Sequence, residues 1–197
     1  GALRQRGYTA RVRLARALLS GAFRAAIRWG VRPTSPLAGG TVTPPPRSPR
    51  VWTTEEAARF LAVADRDGLA ALWRLLLVAG LRIGEALALT WREVDLAAGT
   101  VTVRRTVTRS TSGARTVGER AKRPRSHRTV ALGPETTAAL AARKQAATSV
   151  FVFPGRRGPL VYGAVRRRLR RLCAEAGVPV LTVHGLRHTS ATLDLAA

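Results

Sequence analysis

Two arginines stand in apolar stretches where an exposed cation has no reason to be. Arg82 lies in Gly80-Leu81-Arg82-Ile83-Gly84-Glu85, directly after the run Leu75-Leu76-Leu77-Val78-Ala79. Arg187 lies in His184-Gly185-Leu186-Arg187-His188-Thr189-Ser190-Ala191-Thr192. A half-buried guanidinium needs a partner. Glu85, three positions after Arg82, can brace it from the same helix face. That pair is either a structural ion pair or a guanidinium aimed at a phosphate oxygen. His184 and Arg187, also three apart, can face one point at the start of a helix. There the arginine can donate two parallel hydrogen bonds to non-bridging oxygens, and the imidazole can move a proton near neutral pH. His188 falls on a different side and reads as packing or support. Two arginines and a histidine on a rigid frame suit a phosphodiester whose charge must be stabilised during in-line displacement.

The elements that must carry these side chains follow from periodicity. Thr9 to Gly30 reads as one amphipathic helix, with Leu14, Leu18, Phe23, Ile27 and Trp29 in its apolar stripe and Gly30 and Pro33 as its stop. Pro33 to Pro49 is aperiodic and contains Pro44-Pro45-Pro46, a stiff linker. The expected organisation is therefore residues 1–32, 33–50 (linker) and 51–197. Thr53 with Glu56 forms a capping box that opens a helix to Ala64. Leu69 to Ala79 and Ile83 to Thr90 supply two more helices. The alternating Val101, Val103, Val107 and a second run, Arg128 to Leu132, predict one small antiparallel sheet, with turns and a short strand between them over Ser112 to Arg125. Helices follow from Gly133 to about Ala147 and from Tyr162 to Ala176, and His184 stands just before a last one. The fold class expected is mainly α with a small antiparallel β-sheet, α+β.

Composition points the same way. Lys+Arg 34 against Asp+Glu 11 gives a formal charge of +23, which repels itself unless a polyanion is near. Hydrophobic residues at 46% exclude wholesale disorder. One cysteine, Cys173, excludes an intrachain disulfide and reads as a small core residue. Three histidines, two of them in one string, argue against a metal centre. No run is long and apolar enough for a membrane span, and the cytoplasm is the compartment expected.

The stretch Gly80 to Trp91 resembles the first arginine box of the tyrosine recombinase (phage integrase) family. His184 to Thr192 resembles the start of its second box. Lys122 followed by Arg128-Thr129-Val130-Ala131-Leu132 resembles the end of its lysine-bearing hairpin, and Thr9 to Gly30 resembles the last helix of its core-binding domain. The resemblance implies helices packed around a small sheet and clamped onto double-stranded DNA, as a homo-tetramer on two duplexes. It implies cleavage without metal or cofactor: a tyrosine attacks the scissile phosphate, forms a 3′-phosphotyrosyl bond, and a freed 5′ hydroxyl reverses the step. On this resemblance Arg82 and Arg187 clamp the phosphate, with Glu85 and His188 in support. Lys122 protonates the leaving oxygen and His184 assists proton transfer. Arg123, Arg125 and Arg128 bind DNA. The family's nucleophilic tyrosine lies downstream of the second box, so the expectation is a fragment that binds and does not cleave. Tyr8 and Tyr162 both precede that box and read as packing or interfacial aromatics. The other readings are a non-catalytic DNA-binding protein derived from a recombinase, a type IB topoisomerase, and a general RNA-binding protein. A core-binding helix before a short catalytic domain argues against the topoisomerase, and RNA binding explains neither box.

Overall fold

The computed structural model describes residues 9–39, 50–109, 115–119, 127–156 and 158–193. The chain divides into two compact units, Gly1–Ser48 and Pro49–Ala197. In the first, helix α1 (Thr9–Arg28) ends where Gly30 takes φ 71° and Val31 N donates to Ala26 O at 2.9 Å. This left-handed stop is the one that glycine favours. Leu14, Leu18 and Trp29 of its apolar stripe are exposed.

The second unit is built around α3 (Ala70–Leu77), which follows α2 (Thr54–Ala64). Thr53 and Glu56 form the capping box of α2, each side chain bonding the other's backbone N–H. Leu72, Trp73, Leu75, Leu76 and Leu77 of α3 are all fully buried. Arg74 apart, the helix is apolar and must be covered on its other sides, and α2, α4 (Ile83–Ala88), α5 (Pro134–Gln145) and α7 (Val183–Leu193) pack on it. Trp52, Phe60 and Trp73 meet in series, the first pair tilted with centroids 4.8 Å apart and the second edge-to-face at 6.0 Å. Helix α6 (Tyr162–Glu175) closes the bundle and buries Cys173.

One sheet was expected; there are two, with a further short hairpin. Strands β1 (Val94–Asp95), β2 (Thr100–Val103) and β5 (Arg128–Ala131) form an antiparallel sheet in the order β1-β2-β5, pairing Val101 with Val94 and Val130. Strands β3 (Arg105–Arg109) and β4 (Arg115–Glu119) form a separate ribbon, and β6 (Pro154–Gly155) pairs with β7 (Gly158–Pro159). The split has a visible anchor. The Arg105 guanidinium donates to Glu93 and to Thr90 Oγ1 (2.7 Å), tying the root of β3 to the turn after α4 instead of continuing the sheet. Among the described residues no helix is long and apolar enough to cross a membrane, and no cluster of His, Cys, Asp and Glu could hold a metal ion.

Candidate active site

Helix α3 ends at Val78, and Gly80 at φ 61° turns the chain so that Leu81 is buried, its N–H donating to Leu75 O at 2.9 Å. Arg82 follows as the extended N-cap of α4, not as a residue within the helix. Glu85, three positions on, turns back to it. Its Oε2 accepts from Arg82 N at 3.0 Å and its Oε1 from Arg82 Nη1 at 3.1 Å. The Glu85 side chain is 1% exposed and the Arg82 side chain 49% exposed, so the carboxylate is internal while the guanidinium reaches the surface. A second cation meets the same carboxylate. Arg128, the first residue of β5, donates from Nη2 to Oε2 at 2.7 Å and from Nη1 to Oε1 at 3.2 Å. Burial alone would push the Glu85 carboxyl up. Hydrogen bonds and charge from Arg128, with those from Arg82, outweigh it and hold the group at about 2.

Helix α7 brings the second box to the first. Arg187 Nη1 donates to the Gly80 carbonyl, and Ser190 Oγ donates to Val78 O at 3.1 Å. At its other side, Thr189 Oγ1 accepts the Trp52 N–H at 3.1 Å in the buried core. Arg187 is therefore aimed from the very backbone that presents Arg82. His184 lies inside α7, in its first turn, and not before it. His188, one turn on, stands on the same face as His184 and not on a different one; their rings meet edge-on with centroids 4.6 Å apart. Partial burial, the His188 ring, and the Arg187 and Arg82 charges hold the His184 imidazole below its ordinary value. That His184 feels both arginines is electrostatic support for one shared site. A neutral imidazole there can accept a proton, and two guanidinium groups can receive a dianionic or spread oxyanion charge.

Lys122, Arg123 and Arg125 lie outside the described residues. Arg128 is placed with a protein partner, Glu85. Tyr162 begins α6 and lines an apolar cleft with Ile83, Gly84, Leu87, Val107 and Leu160.

Two contacts of this site leave no local trace in the sequence. The Glu85–Arg128 pair spans 43 residues and the Gly80–Arg187 bond 107. The apolar flank of Arg82 is a signal for burial, but nothing near it names the partner.

The phage integrase family model matches residues 50–195. Tyrosine recombinase XerC of Xanthomonas campestris pv. campestris is 32% identical over 176 residues, covering 84% of this chain and 49% of that protein. The chain spans about half the length of the curated relatives it matches. Among solved structures, the Tn1549 transposon integrase with a circular intermediate DNA superposes with a TM-score of 0.81 at 20% identity, over 98% of this chain and 69% of that one. The lambda integrase tetramer bound to a Holliday junction gives 0.69 at 25% identity, over 98% and 56%. Their mixture of helices and small antiparallel sheets is the fold of this chain.

Proposed function

This chain belongs to the phage integrase family, and we propose on that footing that it clamps and activates a DNA phosphodiester for site-specific strand exchange. The observation that carries the reading is the bond from Arg187 to the Gly80 carbonyl, which couples the second arginine to the segment presenting the first. Arg82 and Arg187 hold the non-bridging oxygens and offset the charge that grows in the transition state. His184, kept neutral by its surroundings, is poised to take a proton. Lys122 is assigned the leaving 5′ oxygen, and Arg123 and Arg125 the flanking backbone. The likeness to a lambda integrase tetramer on a Holliday junction supports a tetrameric assembly on two duplexes.

The attacking tyrosine is assigned to neither Tyr8 nor Tyr162. Among the described residues, the cleft around Tyr162 is lined mainly by apolar side chains and holds no His, Lys or carboxylate to receive a phenol proton.

Strand rejoining tests the clamp without any protein nucleophile. A duplex nicked so that a 5′ hydroxyl faces a 3′ p-nitrophenyl phosphate serves as substrate. The 5′ oxygen attacks phosphorus, the new O–P bond forms, the aryl O–P bond breaks, and nitrophenolate departs. The hydroxyl proton passes to the Lys122 amine, reversing its part in cleavage. The expected result is a joined strand with nitrophenolate released in equal amount. Tight duplex binding with no joining would favour the reading of a non-catalytic DNA-binding relative.

A further inference from the structure

Among the described residues, four hydrogen bonds converge on the carboxylate of Glu85. Each oxygen takes one from Arg82 and one from Arg128: Oε1 at 3.1 and 3.2 Å, Oε2 at 3.0 and 2.7 Å. The carboxylate is buried, with its side chain 1% exposed, whereas Arg128 is 32% and Arg82 49% exposed. One acid between two guanidinium groups leaves a surplus of one positive charge, and the geometry decides where the surplus points. Arg128 binds through both terminal nitrogens, the paired fork that fixes a carboxylate in its plane. Arg82 spends one terminal nitrogen and its backbone N–H. The more exposed of the two cations is therefore the one less committed to the acid.

We propose that Arg128 is a positioning residue: it neutralises and orients Glu85, so that the charge of Arg82 is directed outward to the phosphate, and it does not itself hold DNA. Were Arg128 absent, the buried carboxylate would lean more heavily on Arg82 and would draw that guanidinium inward. The same contact docks the start of β5 against α4, and the segment that reaches β5 carries Lys122 six positions before Arg128. One ion pair thus registers both the phosphate clamp and the strand that follows the leaving-group lysine. The inference rests on the phosphate-clamp reading given above.

The joining assay and duplex binding, run on the 197-residue chain, separate the possibilities. Arg128→Gln and Arg128→Lys should each slow joining at saturating protein by roughly 10–100-fold, the cost of a misaimed group. Lysine fails here because a point charge cannot make the fork. In an Arg82→Ala background, where the clamp contact is already gone, Arg128→Gln should leave the slope of log affinity against log salt unchanged, since no further phosphate contact is lost. In that background it should slow joining by less than about twofold more, because the two residues act through one another. Melting curves check that each variant is folded; if the glutamine variant is not, the lysine variant carries the test. Wild-type joining in Arg128→Lys, or a salt slope lowered by about one further unit by Arg128→Gln in the Arg82→Ala background, would overturn the positioning role and make Arg128 a DNA contact. Undiminished joining in Arg128→Gln overturns it as well. Absence of joining in the unaltered chain instead overturns the clamp reading, and this inference with it.

Discussion

Arg187 is held by a backbone carbonyl and Arg82 by a carboxylate. Replacing either by alanine should slow joining by on the order of 10²–10³, with duplex affinity little changed because many other cations hold the backbone. Arg187→Lys should fare no better, since one ammonium cannot both hold the Gly80 carbonyl and fork a phosphate; joining at the wild-type rate would make the second box merely structural. Acid should loosen the site. The Glu85 carboxyl sits at about 2, below its ordinary 4.5, so its stabilisation is complete above about 4.5 and is lost as pH falls toward 2. The difference amounts to about 3 kcal/mol. His184 is also held below its ordinary value, so it too costs stability once acid protonates it. Urea midpoints across the acid range should show a steep limb that Glu85→Gln flattens. The types and order of these residues were legible in the two boxes. Their partners were not, because a carbonyl 107 residues away leaves no mark on a local pattern.

At the scale of elements, the placing of the β3–β4 ribbon rests on the absence of a side chain. A Cβ on Gly84 of α4 would stand 2.6 Å from Thr106 Oγ1 and 2.9 Å from the Val107 carbonyl, so α4 and β3 approach closely only because position 84 is bare. Gly84→Ala should cost roughly 1–3 kcal/mol by overpacking and push the ribbon off the first box, lowering joining as well. Gly118→Ala, on the partner strand where a Cβ meets nothing, should stay within about 0.5 kcal/mol. Equal melting temperatures for the two variants would refute this account of the ribbon. Helix α7 allows a parallel test. Thr189→Val strands the buried Trp52 N–H and should cost roughly 1–3 kcal/mol in thermal or urea unfolding. Helices were well legible here because their signals are local: the Thr53–Glu56 box and the left-handed Gly30 and Gly80 stand where the sequence puts them. The division of the strands was not. β2 and β3 are separated by Arg104 alone, yet β2 pairs with β5 and β3 with β4. Alternation reveals a strand but not its neighbour.

Across the molecule, three acids among the described residues, Asp67, Glu85 and Glu93, are buried, while Glu55, Asp65, Asp95, Glu135 and Glu175 stay exposed. Asp65 pairs with Arg74, Asp67 with Arg168 and Arg171, Glu85 with Arg82 and Arg128, and Glu93 with Arg105. Asp67 shows how completely: its side chain is 1% exposed and also accepts the Leu69 N–H and Trp73 Nε1. With Lys+Arg 34 against Asp+Glu 11, the outward field of a chain with formal charge +23 is strongly positive. Binding to duplex DNA should therefore be dominated by phosphates, with log affinity falling linearly against log salt and a slope of several units. A salt-insensitive titration, or no binding at low salt, would contradict it. The excess of arginine was plain in composition; that three acids are buried against arginines was not, since a partner stands as far as 104 residues away.

The bonds from α7 to Gly80 and to Trp52 join residues 107 and 137 positions apart. A growing polypeptide emerges at roughly 5–20 residues per second, so on the order of 5–20 s separates the appearance of the first arginine from the second. During that interval the early helices can collapse around the Leu-rich α3, but Arg187 is not yet available to receive a phosphate. Under the proposed clamp, competence to act on DNA thus waits for α7, and a chain made only as far as α6 carries its basic surface without the second arginine.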